Sequence, residues 1–168
     1  MVEDQRYLFL QHSLILQVTP GLPIPDVYRT ENVDLVKAGC VNMAKHIQNA
    51  GKFGVPVVVA INKFATDTDA ELEAIRVAAL EAGAEAAVPA WHWGEGGKGA
   101  IELAKAVIET CNADKQNFRF LYDLNTSIEE KVAIVSREVY GAEGVEFSEE
   151  AKKKAALYEH QVSPIEGL

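Results

Sequence analysis

Val55-Pro56-Val57-Val58-Val59-Ala60-Ile61, running into Asn62-Lys63-Phe64-Ala65-Thr66-Asp67-Thr68, is the stretch whose reading decides the fold. The first half is a short β-branched run entered through Gly54. Such a run reads as a strand covered on both faces, the usual state of a parallel sheet between helices. A polar loop leaves its C-terminal end and a helical pattern starts at once. In an open α/β sheet, ligands sit outside the carboxyl ends of the strands. Residues 62–68, and their counterpart one βα unit later, are therefore where function is sought.

Downstream, Thr68-Asp69-Ala70-Glu71 fits a capping box, in which hydroxyl and carboxylate satisfy each other's orphan backbone donors. Leu72, Ile75 and Ala79 then line one helical face, and Gly83 is placed to end the helix. Ala86 to Ala90 predicts a second strand, followed by Trp91-His92-Trp93-Gly94-Glu95-Gly96-Gly97-Lys98-Gly99. A further helix, over 99–111, carries Ile101, Ala104, Ile108 and Cys111 on one side. Upstream, Val33, Val36, Cys40, Met43 and Ile47 recur at helical spacing, predicting a helix over 31–50 with Thr30 as N-cap. Thr19 to Asp26, with three prolines, reads as a rigid connection, and Tyr7 to Val18 fits a strand or a helical turn. The crossover between the two parallel strands should be right-handed.

The pattern changes after Asn112. Phe118 to Tyr122 fits a strand or an aromatic anchor. Ser127-Ile128-Glu129-Glu130 opens a helix that should bury Val132, Val135 and Val139 and end at Gly141; Ser148 caps a last helix to about Gln161. Three segments result: 1–19, an α/β portion over 20–111 and a mainly helical portion over 112–168.

The chain has 168 residues, 48% hydrophobic and 24% charged, enough for an ordinary globular core. Its formal charge of −9, from 25 acidic and 16 basic residues, argues against a nucleic-acid binder, which concentrates Lys and Arg. Nothing approaches a membrane span, and the acidic start, Met1 to Arg6, is unlike a secretory signal. Cytoplasm is the default compartment, with an organelle left open. Cys40 and Cys111 lie far apart inside helical patterns and read as buried apolar residues rather than a disulfide. His12, His46, His92 and His160 make no metal spacing with them, and neither a metal site nor a Ser-His-Asp or Cys-His catalytic pair is legible.

Asn62-Lys63 after a buried strand invites comparison with the guanine-recognition Asn-Lys-x-Asp of GTPases. The fourth position is Ala65, however, and no segment reads Gly-x-x-x-x-Gly-Lys-Ser/Thr. The two loops taken together say more. Phe64 follows the first strand, and Trp91 and Trp93 follow the second, at what should be one edge of the sheet. Aromatic rings there would clamp a flat heteroaromatic ligand. Gly94, Gly96, Gly97 and Gly99 allow close backbone approach before a helix N-terminus suited to a carboxylate or phosphate, with Lys98 adding positive charge. The opposite possibility, rings as core plugs and glycines as a tight turn, stands level with it. Asp67 and Thr68 read first as structural, in the turn and at the cap.

Pro56 to Thr68 carries Pro-Val-Val-Val-Ala-Ile-Asn-x-Phe-x-x-Asp-Thr, and Trp93 to Gly99 carries Trp-x-x-Gly-Gly-x-Gly. Together with Tyr28 to Asn49, Leu121-Tyr122-Asp123 and Ile134 to Gly141, these stretches resemble formate–tetrahydrofolate ligase, from about Pro20 to at least Tyr158. The resemblance implies an α/β fold, a parallel-sheet βαβ unit of Rossmann-like or P-loop-NTPase-like architecture with added C-terminal helices, as a fragment of a larger multidomain enzyme. It implies the reaction of ATP, formate and tetrahydrofolate to 10-formyltetrahydrofolate, ADP and phosphate, by way of formyl phosphate. It also implies that Phe64 and Trp93 stack the pterin. Asn62, Asp67, Thr68, Gly96, Gly97, Lys98 and Gly99 are read as support for the site loops. Trp91 is not carried over as a ligand contact. Magnesium, a monovalent cation and homo-oligomers belong to the complete family enzyme.

Two departures bear on activity. The family's phosphate-binding loop has no counterpart here, and its glycine-rich His-Gly-Gly region before Pro20 is replaced by Tyr7 to Val18. ATP is accordingly not expected to bind this chain well, no catalytic residue is assigned, and the isolated chain is expected to be inactive. The alternative is a non-catalytic folate-binding or interaction subunit that associates with full-length enzyme. Unpaired sheet edges would favour such association or self-association. Neither nucleic acid nor membrane is expected as a partner.

Overall fold

The computed structural model describes residues 8–11, 30–113, 115 and 117–162, the first four and Val162 by backbone alone. The proline-rich connection at 19–26, His12 and most of segment 1–19 lie outside the described residues. Two compact units divide between Phe118 and Arg119.

The first unit is α/β. Strands β1 (Leu8–Gln11), β2 (Val58–Asn62) and β3 (Ala86–Ala90) form a parallel sheet in the order β1-β2-β3. Helix α1 (Val33–Lys52) lies between β1 and β2 in the chain, and α2 (Asp69–Glu81) between β2 and β3. A single helical turn α3 (His92–Glu95), a 3-10 turn (Gly96–Ala100) and α4 (Ile101–Asn112) follow β3. Because β2 is central, every residue from Val58 to Asn62 is buried, as a two-faced β-branched run requires. Regular pairing starts two residues past Pro56, which has no N–H to donate. Glu85 N–H already reaches Val57 O at 2.8 Å.

Alternation along β2 separates two faces. Val57, Val59 and Ile61 join Val36, Cys40, Met43, Ile47 and Ala50 of α1 and Leu72, Ile75 and Ala79 of α2 in one buried cluster. Ile47, Ile61 and Ile75 are fully buried there, each worth about 1.5–3 kcal/mol of transfer free energy. Burial also pushes the Cys40 thiol pKa up, so it behaves as an apolar core residue. Val58 and Ala60 point the other way and are equally buried. The helix contacting β2 and β3 from outside that cluster is α4.

The structure corrects or narrows the sequence reading in the first unit and at its end. Asn32, not Thr30, caps α1: its Oδ1 accepts from Leu35 N–H at 3.0 Å. The inward side of α4 is Leu103, Ala106, Val107, Thr110 and Cys111, all half-buried, whereas Ile101, Ala104 and Ile108 are exposed. The helix is apolar on both sides, so its pattern alone does not say which one faces the sheet. Of the two readings open for Phe118 to Tyr122, the strand is not formed.

In the second unit, α5 (Ile128–Tyr140) packs against α6 (Glu149–Val162). Ser127 Oγ accepts from Glu130 N–H, and Gly141 ends α5 in the left-handed region at φ 71°. The Ser148 hydroxyl caps α6 through Ala151 N–H at 3.2 Å. Val135 and Val139 are half-buried as the helical spacing requires, but Val132 is exposed.

Candidate functional site

Parallel pairing sets Asn62 opposite Ala90, so the loops after β2 and β3 leave the same edge of the sheet. Lys63 N–H donates to Ala90 O at 3.1 Å, carrying the pairing one residue into the first loop. Asn62 is buried at the end of β2. Phe64, half-buried, then opens a tight turn. Its N–H donates to Asp67 Oδ2 at 2.8 Å, and Asp67 N–H returns to Phe64 O at 3.1 Å. Asp67 thus fixes the backbone of the candidate stacking residue. Withdrawal from water pushes its pKa up, helped by the Glu71 charge; the Phe64 N–H and the Lys63 charge pull the other way.

The capping box continues this chain of contacts. Thr68 N–H donates to Glu71 Oε2 at 3.1 Å, and Glu71 N–H to Thr68 Oγ1 at 3.3 Å. The other carboxylate oxygen, Oε1, accepts Asn32 N–H at 2.9 Å. Glu71, buried, therefore ties the start of α1 to the start of α2. Its partner on α1 lies 39 residues away, beyond the reach of a local pattern.

The second loop is built around Trp91. Its N–H donates to Gly99 O at 2.9 Å, and its carbonyl accepts Glu95 N–H at 3.0 Å. A Cβ on Gly99 would overlap the Trp91 carbonyl, so only glycine fits there. The indole ring lies against Gly94, where a Cβ would stand 2.5 Å from Cε2. Gly96 adopts φ 59°, whereas Gly97 has open space around its Cα. These glycines form a 3-10 turn that delivers the chain to α4. Lys98 is exposed beside them.

This packing sorts the aromatic residues. Trp91 is half-buried in its own loop, while Trp93 is 77% exposed and does not plug the core. Phe64 and Trp93 stand on neighbouring loops of one sheet edge. Lys63, which sequence reasoning treated only in the GTPase comparison, belongs to the site. Its Nζ lies 5.5 Å from the centroid of the Trp91 ring and 3.9 Å from Asp69 Oδ1. The legible signal was its place directly after the strand. Among the described residues, no three His, Cys, Asp or Glu side chains gather as a metal-holding group. Among the described residues, no helix is long and apolar enough to cross a membrane.

Residues 13–164 match the sequence model of the formate–tetrahydrofolate ligase family, starting upstream of Pro20. Over 139 residues the chain is 58% identical to the mitochondrial C-1-tetrahydrofolate synthase of Schizosaccharomyces pombe, covering 82% of this chain and 14% of that protein. It is 53% identical over 150 residues to the cytoplasmic C-1-tetrahydrofolate synthase of Saccharomyces cerevisiae, covering 89% of this chain and 16% of that one. It is 51% identical over 145 residues to the formate–tetrahydrofolate ligase of Spinacia oleracea, covering 86% and 23%. The chain thus spans less than a quarter of the length of each of these relatives. Both cytoplasmic and mitochondrial forms occur among them.

Proposed function

Because the chain belongs to the formate–tetrahydrofolate ligase family, we propose that it carries the tetrahydrofolate-binding part of such a ligase, with Phe64 and Trp93 stacking on the pterin. The whole-protein reaction, formate and tetrahydrofolate joined at the expense of ATP, is the activity this part would serve. One observation carries the proposal: the two rings leave one edge of adjacent parallel strands, and Trp93 is exposed while its neighbour Trp91 is packed into the loop. An exposed indole on a loop braced from beneath offers a flat apolar face at little conformational cost. Asn62, Asp67, Thr68 and the glycines at 96, 97 and 99 serve the loops rather than the ligand, and Lys98 offers charge at the rim.

The residues described here do not fit a magnesium nucleotide. The sequence has no Gly-x-x-x-x-Gly-Lys-Ser/Thr, and of the carboxylates near the site Asp67 and Glu71 are spent on backbone N–H groups, while Asp69 faces the Lys63 ammonium. Formate activation is therefore assigned to other parts of the family protein, and no step is routed through ATP in this chain.

Calorimetric titration of the purified chain with tetrahydrofolate and with p-aminobenzoylglutamate, the same molecule without its pterin, tests the proposal. Pterin stacking requires saturable binding of the first and much weaker binding of the second. Equal binding of both would place recognition elsewhere.

A further inference from the structure

We infer that Lys63 is a positioning residue, acting through Trp91 to set the gap between Phe64 and Trp93; this rests on the pterin-stacking proposal above. Lys63 ties the first loop to the end of β3 and to the second loop. Its backbone N–H is held by Ala90 O at 3.1 Å, and its ammonium lies 5.5 Å from the centroid of the Trp91 ring. Its other charge partner, Asp69, is 3.9 Å away on a fully exposed side chain and is too loosely held and hydrated to fix it. Trp91 is in turn secured by the loop it begins, through Gly99 O, Glu95 N–H and the close approach of Gly94.

The sequence offsets give this brace its leverage. Lys63 immediately precedes Phe64, and Trp91 lies two residues before Trp93. A cation held over an indole face is attracted by the ring quadrupole, more strongly where water is partly excluded, as at this Lys63 side chain of 27% exposure. Fixing the two loops against each other lowers the ordering cost of bringing two rings onto one ligand, which is how preorganisation raises affinity.

The test is a double-mutant cycle read by tetrahydrofolate titration of the full chain, with Trp93→Ala as reference. Lys63→Met keeps the stem and removes the charge, Lys63→Arg keeps a cation that can stack, and Trp91→Leu removes the ring. Lys63→Met should weaken binding about threefold to tenfold, and Lys63→Arg should stay within about twofold of wild type. In the Trp91→Leu background, Lys63→Met should cost nothing further, since both ends of one brace are then gone. Denaturation midpoints of the Lys63 variants should match wild type, separating positioning from folding. Additive losses would mean that Lys63 contacts the ligand directly and would overturn the inference. No loss from Lys63→Met, with a clear loss from Trp93→Ala, would overturn it and leave pterin stacking standing. No loss from either would overturn both.

Discussion

Trp91 and Gly99 are in backbone contact: the Trp91 N–H donates to Gly99 O at 2.9 Å, and a Cβ on Gly99 would overlap the Trp91 carbonyl. The loop carrying Trp93 is closed at this point. Gly99→Ala must push the two strands of the loop apart and should cost about 1–3 kcal/mol, as overpacking does. Gly97→Ala, with nothing within 4 Å and no positive φ, should lie within about 0.5 kcal/mol of wild type. Urea denaturation of the two variants checks this contrast. Equal effects would contradict the contact.

Glu71 should be the costliest polar residue to truncate in the first unit. Its two oxygens serve Asn32 N–H at one helix start and Thr68 N–H at another. Glu71→Ala orphans both and should cost about 2–3 kcal/mol, while Glu71→Gln, able to accept through one oxygen only, should fall between. Amide exchange measured at Asn32 and Thr68 should accelerate together in Glu71→Ala. Acceleration at Thr68 alone would contradict the link to α1.

What the sequence made legible follows from the range of the interactions. The capping box at Thr68 and Glu71 is local, and so is the β-branched run at 58–62; both read directly as pattern. The cap of α1 did not, because Asn32 is held partly by Glu71 from another helix. The inward face of α4 is not legible for a similar reason. Leu103, Ala106 and Val107 compete with Ile101, Ala104 and Ile108 on one helix, and only the sheet decides between them. Within the site, Phe64 and Trp93 were legible from family resemblance and from their places after strands. The contact of Lys63 with Trp91 was not, since it depends on the register between β2 and β3.

Asp67 gives the fold a pH dependence of definite sign. Burial raises its pKa above the ordinary carboxylate value, with Glu71 acting in the same direction. The folded chain then binds more protons than the unfolded chain between the two values. Its contribution to stability is fully present below the unfolded pKa and is lost as pH rises through the folded one. Asp67→Asn removes the titration and keeps an acceptor for Phe64 N–H, so it should flatten this part of the profile without loss at neutral pH. Asp67→Ala removes the titration too and should lie about 1 kcal/mol below Asp67→Asn throughout, the worth of one hydrogen bond. Denaturation midpoints collected between about pH 3 and pH 7 check both. An unchanged slope in Asp67→Asn would contradict the assignment.

The most direct measurement is tryptophan-fluorescence titration with tetrahydrofolate of wild type, Phe64→Ala, Trp93→Ala and Trp91→Ala. It should be made on this chain and on a longer family member carrying residues 55–100 of it. Each stacked ring is worth about 0.5–1.5 kcal/mol beyond its buried area. Phe64→Ala and Trp93→Ala should therefore each weaken binding about tenfold, one decade being about 1.4 kcal/mol. Trp91→Ala should lower the denaturation midpoint more than it lowers affinity. Unchanged affinity on replacing either Phe64 or Trp93, in both settings, would contradict the stacking of a pterin between them.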